Sequence, residues 1–358
     1  MGRGDENHMR RAFELARKVP YTNGNPRVGA VVVRDETVVG EGFHRGSGHP
    51  HAETEAMRGV DARGTTMYVT LEPCNHQAGT PPCAPALVDA GLARVVVAIA
   101  DPDVRVQGSG IDYLRRNGVE VEVGVLEDDA RELNAAFIHH RTTGRPLVVL
   151  KLALTADGRL AAADGSSRWI TGEEARRRVH EARLEADAVM VGAGTVVADD
   201  PSLTVRAVEA PRQPHRVVVD ASGRVPPGAN VFAAEGTAVV ATTSASPHDV
   251  QTAWKEAGAE VLVLPESAEG VDLTALVSDL GGRGWLEVYC EGGAGLATSL
   301  LREELVDRLE VHYGPVIVGS GASLGDLGIA TMTDAQRWVP AAVERAGDDV
   351  IVSLRRRG

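Results

Sequence analysis

The sequence predicts an α/β protein built as two successive layered domains, and three observations carry that reading. Val-rich strand-like runs alternate with helical segments along the chain, the pattern of helices packed on sheets. The alternation pauses at Thr142, Thr143, Gly144 and Pro146 and restarts at Leu147, which sets a boundary near residue 145. Aromatic residues make up only 4% of the 358, so the core must come from Val, Leu, Ile and Ala, a composition suited to buried parallel strands.

Residues 5–18 carry Met9, Phe13 and Ala16 at helical spacing. VGAVVVRDETVVGEGFH reads as strand, turn and strand. HAETEAMR is helical, and TTMYVTLEPC is a strand ending at the first cysteine. PPCAPALVDAGL opens on prolines and runs as a helix to Gly91, and ARVVVAIADP is the next strand. Beyond the boundary, strands are expected at Leu147–Leu154, DAVMVGAG, HRVVVDAS, TAVVATT, EVLVLP, WLEVYCEGG and RLEVHYGPVIVG. GEEARRRVHEARLE, HDVQTAWKEAG and AGLATSLLREEL are the helices between them. The second sheet is expected to be mostly parallel.

The net charge of −13 opposes nonspecific binding to nucleic acid or an anionic membrane, although a few arginines and a helix start can still hold a small anion. No apolar stretch approaches the ~20 residues of a membrane span, and MGRGDENHMRR has no signal-peptide character. Three cysteines, Cys74, Cys83 and Cys290, fit a reduced cytoplasmic enzyme. Enzymes of this low-aromatic type associate, so a homo-oligomer with no nucleic-acid or membrane partner is expected.

Two of those cysteines lie close together, and His51-Ala52-Glu53 stands upstream of Glu72-Pro73-Cys74 and Cys83. One imidazole and two thiolates can hold Zn²⁺ with a fourth position open, which acidifies a water for attack on an amino-bearing ring carbon. That attack needs a proton carrier that is not a ligand, and a Glu two residues after the His is so placed. His-x-Glu with Pro-Cys and a second Cys is the zinc nucleobase-deaminase pattern. A structural zinc would want a fourth ligand; His76 could supply one, but Glu53 would then have no task. The spacing between the cysteines is x8 rather than x2, so the loop NHQAGTPP must bulge between the ligands at little entropic cost.

With GNPRVGAVVV, GHPHAETEAM, TLEPCNHQAGTPPC and VVVAIADPD in one order, the chain resembles the bifunctional riboflavin-biosynthesis deaminase–reductase family, and the resemblance continues through the second half. It implies a cytidine-deaminase-like three-layer domain over residues 1–145, then a dihydrofolate-reductase-like α/β domain over 146–358. It also implies Zn²⁺ and NADPH as cofactors and a pyrimidine nucleotide as substrate. The activities it implies are removal of the 2-amino group of a 2,5-diamino-6-ribosylaminopyrimidinone 5′-phosphate and reduction of the ribosyl to a ribityl side chain. The resemblance places Asn25, His44 and His76 near the substrate. By themselves, Asn25 reads equally as a turn residue beside Pro26, and the two histidines as surface residues. Two departures bear on the substrate phosphate. The family carries Lys or Arg where this chain has Gly79, and Asn after Asp-Pro where this chain has Asp103-Val104. An altered preference, for a dephosphorylated or modified pyrimidine, is therefore an alternative expectation.

In the second half, KLALTADGR, SSRWITG, VGAGTVVADDPSLTVR and CEGGAGLATSL carry the same resemblance, and none is a Rossmann Gly-x-Gly-x-x-Gly turn. The Gly292–Gly295 turn leaves a strand and starts a helix, a place where backbone N–H groups can meet a phosphate. The resemblance puts Ala153, Trp169, Thr195, Asp199, Ala221, Gly292, Gly293, Ala294, Gly295 and Ser299 at the cofactor. It puts Ser167, Arg183, Leu203, Arg206 and Glu291 at the substrate. Lys151, Asp199 and Glu291 are candidates for polarising and protonating the reduced side chain, and Arg183 and Arg206 suit a phosphate. Each has an ordinary alternative: Trp169 as core, Arg183 on a solvated helix face, Asp199 in a turn before Pro201. Lys151 inside an apolar strand is the least ordinary, because burying a lysine is costly. Cys290 reads as a packed thiol.

Overall fold

Valine runs make both sheets. The computed structural model describes residues 3–76, 81–103 and 107–357, and the chain divides into two units, residues 1–144 and 145–358.

The first unit runs α1 (Arg3–Ala16), β1 (Gly29–Arg34), β2 (Thr37–Phe43), α2 (Ala52–Ala56), β3 (Thr66–Val69), α3 (Cys83–Asp89), β4 (Arg94–Val97), α4 (Ser109–Arg116), β5 (Glu120–Val123), α5 (Glu127–Leu133) and α6 (Ala135–Thr143). Its sheet has the order β2-β1-β3-β4-β5. β1 runs antiparallel to both neighbours, and β3, β4 and β5 run parallel. Met9, Phe13 and Ala16 are buried as their spacing predicts. Helices cover both faces, and two glycines let them approach. A Cβ on Gly29 would lie 2.0 Å from the Ala12 carbonyl oxygen of α1, and one on Gly42 would lie 2.3 Å from that of Ala52 in α2. Gly29 and Gly42 occupy successive rows of the β1–β2 ladder and so face opposite sides. The result is the three-layer cytidine-deaminase-like domain. Gly42 has a direct consequence for chemistry, because α2 carries Glu53.

The second unit runs β6 (Leu147–Thr155), β7 (Ala161–Ala162), α7 (Glu173–Glu185), β8 (Ala188–Gly192), α8 (Ala193–Asp199), β9 (His215–Val219), α9 (Asn230–Ala233), β10 (Ala238–Thr242), α10 (His248–Glu256), β11 (Ala259–Val263), β12 (Glu266–Ser267), β13 (Gly270–Val271), α11 (Leu273–Gly282), β14 (Glu287–Cys290), α12 (Ala294–Arg302), β15 (Arg308–Gly314), β16 (Gly321–Ala322), β17 (Trp338–Ala346) and β18 (Asp349–Arg356). The main sheet has the order β11-β10-β9-β8-β14-β6-β15-β18-β17. It is parallel from β11 to β15, and the last two strands are antiparallel. That closing β17–β18 hairpin was not anticipated. Its β17 is mostly exposed and interrupted by Pro340, so it lacks the continuous buried Val run that marks the central strands. In an open parallel sheet ligands collect at the carboxyl ends of the strands. Here those ends are the turns after Thr155, Gly192, Val219 and Cys290.

Candidate active sites

In the first unit, local geometry concentrates the expected ligands. His51 stands in extended conformation immediately before α2, and Cys83 opens α3. Cys74 follows β3 and is tied to the start of α3. The Cys83 amide donates to its Sγ (3.3 Å), and the Ala84 amide donates to its carbonyl oxygen (3.0 Å). His51 Nδ1 lies 3.5 Å from Cys74 Sγ and 3.2 Å from Cys83 Sγ. These three donor atoms all fall within 4.8 Å of one another. Among the described residues no fourth donor joins them; His76 is exposed and lies outside the group.

This donor set fits zinc with an open position. The closeness of the three donors supports the fit, since a cation between them would replace the contacts they now make with one another. Hydrogen bonding from Cys83, then from His51, brings the Cys74 thiol down to about 4, and the same contact with Cys74 pushes Cys83 up. Glu53 is buried at 4% exposure. Burial pushes its carboxyl up to about 7, where it can both take and give a proton near neutral pH.

A cavity of about 570 Å³ opens over this cluster, and Asn25, His44, His51, Glu53, Cys74 and His76 all line it. His44 Nδ1 lies 3.2 Å from the Pro50 carbonyl oxygen, and its ring meets His51 edge-on at 5.3 Å. Burial holds His44 below its ordinary value, so the neutral ring donates from Nδ1 and turns Nε2 into an acceptor. The Asn25 side chain is held by its Nδ2, which donates to the carbonyls of Thr22 (3.0 Å) and Asn23 (3.2 Å).

Glu72 has a supporting task. Its carboxylate accepts from the amides of Asp101 (3.0 Å), Gly108 (2.9 Å), Gly110 (2.9 Å) and Ile111 (3.3 Å), pinning the loop that carries Asp103 to the cavity wall. Asp103 lines the cavity, whereas Gly79 and Val104 lie outside the described residues. Arg141 of α6, which sequence reasoning missed, also lines the cavity. Its guanidinium rests over the Phe137 ring at 5.0 Å and has no hydrogen-bond partner among the described residues.

In the second unit two recesses meet. One, of about 900 Å³, is lined by Thr195, Asp199, Ala221, Gly293, Ala294, Gly295 and Ser299. The other, of about 970 Å³, is lined by Lys151, Ala153, Trp169, Arg183, Leu203, Arg206, Glu291 and Gly292. Ser167, Thr195, Asp199 and Gly293 border both. Expected cofactor and substrate residues therefore come together, though Ala153, Trp169 and Gly292 fall on the second recess.

The first recess fits a dinucleotide phosphate. A Cβ on Gly295 would enter open space in it, and the first-turn amides of α12 have no partners inside the helix. Thr195 Oγ1 accepts from the Gly293 amide at 3.1 Å and braces the turn. Ser299 donates to Glu269 at 2.7 Å. Arg224, a second residue that sequence reasoning missed, lies in the same recess.

Two readings change. Trp169 is not core: it is 66% exposed, with the Arg176 guanidinium 4.3 Å over its ring. Arg183 is neither on a solvated face nor open to a phosphate. Its Nε and Nη2 donate to the two oxygens of Glu291 (2.6 and 2.9 Å), and Nη1 donates to the Thr204 carbonyl (2.8 Å). A buried guanidinium needs such a planar partner, and Glu291 at the end of β14 is in reach. Burial alone would raise Glu291, but Arg183 and then Lys151 hold it below the usual carboxylate range. Burial lowers Lys151, opposed by Glu291 and Glu310. Asp199 takes a weaker contact from Arg168 Nη2 at 3.4 Å. Cys290 is fully buried, and burial pushes its thiol up to about 12, as a packing residue requires.

Comparison with known proteins agrees with this geometry. Residues 3–99 match the family described as the cytidine and deoxycytidylate deaminase zinc-binding region, and residues 146–352 match the RibD C-terminal domain. The chain is 42% identical to the riboflavin biosynthesis protein RibD of Aquifex aeolicus, over 98% of both chains. It is 39% identical to that of Escherichia coli, over 98% of this chain and 99% of the other. The solved structure of Acinetobacter baumannii RibD superposes with a TM-score of 0.88 at 37% identity, over 99% of both chains. A Thermotoga maritima structure described as a diaminohydroxyphosphoribosylaminopyrimidine deaminase/5-amino-6-(5-phosphoribosylamino)uracil reductase gives 0.84 at 35% identity, again over 99% of both.

Proposed function

The chain belongs to the RibD family, the bifunctional zinc-binding deaminases and NADPH-dependent reductases of riboflavin biosynthesis, and on that premise we propose how its own residues divide the work. The unit before residue 145 removes the 2-amino group of a 2,5-diamino-6-ribosylaminopyrimidinone 5′-phosphate, and the unit after it reduces the ribosyl side chain of the deaminated product. The single observation that carries the reading is the His51, Cys74 and Cys83 cluster with the buried Glu53 beside it.

His51, Cys74 and Cys83 hold the zinc, which when bound supplies a Lewis acid that acidifies water. Glu53 takes one proton from the attacking water and delivers it to the ring nitrogen. It then takes the second, from the hydroxyl now on the ring carbon, and delivers it to the departing amino group, which leaves as ammonia. Asn25 and His44 orient the pyrimidine, with His76 at the mouth. The 5′-phosphate meets Arg141, whose guanidinium, held over Phe137 and facing Asp101, offers the cation that position 79 lacks. Asp103 acts against the phosphate, and this opposition keeps a dephosphorylated pyrimidine as the second reading. Deamination rates of the phosphorylated and dephosphorylated compounds, with and without Arg141→Ala, decide between them. A phosphate role predicts that the variant raises KM roughly tenfold for the phosphorylated compound alone. Equal rates for both compounds in the unaltered enzyme favour the second reading.

In the reductase unit NADPH supplies the hydride. The α12 turn and Thr195 hold its pyrophosphate, Arg224 offers a contact for a 2′-phosphate, and Asp199 sits where the two recesses meet. Lys151 donates the proton to the reduced side chain. Glu291, kept ionised by Arg183, orients Lys151 and the substrate. Arg206, whose side chain has no hydrogen-bond partner among the described residues, takes the substrate phosphate, with Ser167 and Leu203 at the edge of the site. The acidic charge opposes binding to nucleic acid or an anionic membrane, three unpaired cysteines suit a reducing cytoplasm, and a homo-oligomer belongs to the same proposal. No helix among the described residues is long and apolar enough to cross a membrane. Light scattering of the purified enzyme tests the oligomer.

A further inference from the structure

On one side of the second sheet lies a row of charged side chains that an α/β core does not ordinarily carry. Alternate strand positions face opposite sides. Leu150 and Leu152 of β6, Val288 and Cys290 of β14, and Leu309 of β15 belong to the apolar core on one face. Lys151, Glu291, Glu310 and His312 therefore share the other. β6 and β15 pair with Lys151 opposite Glu310. Continuing the β14–β6 ladder one residue past Cys290 and Leu150 brings Glu291 opposite Lys151. The lysine thus stands between two carboxylates on adjacent strands, at a cross-strand spacing of about 5 Å.

Glu291 is accounted for by Arg183 and the substrate recess. Glu310 is not: it lines neither recess, yet its oxygen is gripped by His312 Nε2. His312 is fully buried, and its Nδ1 has no hydrogen-bond partner among the described residues. Glu310 keeps 20% of its side chain exposed, so it meets solvent away from the recess that Lys151 lines. The charged groups acting on Lys151 are Glu291, Glu310 and Arg183, and the titratable side chains beside them are Tyr289, His180 and His312. A row of half-buried charges ending on a fully buried His312 is costly to fold and carries no apolar packing in return.

We propose that Glu310, anchored by His312, is a positioning residue for the reduction: it holds Lys151 as an ammonium at the substrate recess and returns a proton to it after each turnover. The inference rests on the reading that Lys151 is the proton donor. Adding hydride to C1′ of the opened side chain turns the C=N π pair into an N–H bond, and the proton comes from Lys151 Nζ, which is left a neutral amine. The Glu310 carboxylate takes one proton from solvent and passes it to that amine, which restores the ammonium beside the carboxylate, so one solvent proton enters per turnover.

The test uses the full-length enzyme. Glu310→Gln is expected to lower the reductase kcat roughly tenfold, the effect of about one pKa unit at Lys151, with both KM values and NADPH binding unchanged. The high-pH limb of the reductase profile moves to lower pH, because a carboxylate that stabilised the ammonium is gone. In the NADPH-free protein, the Lys151 side-chain NMR resonance titrates at lower pH in Glu310→Gln, and Glu310→Asp restores part of both shifts. Lys151→Met separates the two layers of the argument. If it leaves kcat intact, the donor reading fails. If it abolishes reduction while Glu310→Gln leaves kcat and the lysine titration in place, the proposal alone is overturned. Should Glu310→Gln not fold, Glu310→Asp carries the same readouts, and an unshifted lysine titration there also overturns the proposal.

Discussion

The two active sites of this chain are assembled in opposite ways. The deaminase cluster is local: His51 and Glu53 flank one helix start, Cys83 opens another, and Cys74 is tied to the second by backbone hydrogen bonds. The reductase recesses are collected from the ends of distant strands, with Lys151 on β6, Thr195 after β8, Ala221 after β9 and Glu291 after β14. A site built on two helix starts is carried by a short motif. A site built at the rim of a parallel sheet exists only once the strand order is known. The same contrast predicts how each fails: loss of one local ligand should abolish one activity, while the distributed site should lose function in steps.

The largest expected effect is on the local site. Cys83→Ser should leave the chain with little bound zinc and almost no ammonia release, while its rate on the already deaminated pyrimidine is retained. Metal analysis beside a reductase assay checks this, and a parallel fall of both activities would break the contrast between the sites. A smaller effect is expected where the load is shared. Arg224→Ala should raise the KM for NADPH roughly tenfold, the value of one charge-assisted contact, and leave the KM for NADH unchanged; equal changes for both would remove Arg224 from the 2′-phosphate. The smallest is a pH effect on stability. Burial, then Arg212, holds His215 below its ordinary 6.5 while its ring stacks on Trp285 at 4.7 Å. The folded chain binds that proton more weakly than the unfolded chain, so the stability is full above 6.5 and is lost as pH falls through the folded value. His215→Phe should flatten the melting temperature of the reductase unit over that window, and an unchanged slope would show that other groups set it.

Legibility in the sequence follows the same division. The zinc ligands and Glu53 could be read directly because their spacing is itself the geometry. The strands could be read because Val runs leave little choice, as at Val95–Val97 and Val217–Val219. Arg141 could not, since nothing before the fold says that α6 returns to the Cys74 cavity. Arg183 read as a solvated residue or a phosphate ligand, because its partner Glu291 lies on a separate strand. Trp169 read more readily as core than as a cofactor shelf, because an exposed indole beside Arg176 depends on a turn with no apolar pattern. Glu310 and His312 sat in a segment correctly expected to be a strand, but only register with β6 reveals that they face Lys151.

The central claim is that one chain carries two chemically independent sites, with Glu53 serving only the first. The most direct measurement gives Glu53→Ala both pyrimidines, the amino compound and its deaminated product, and follows ammonia release and NADPH oxidation together. The account predicts a loss of about 10²–10⁴-fold in ammonia release, with zinc retained and with NADPH oxidation on the deaminated pyrimidine at the unaltered rate. Ammonia release at the unaltered rate, or a matching loss of NADPH oxidation, would contradict it.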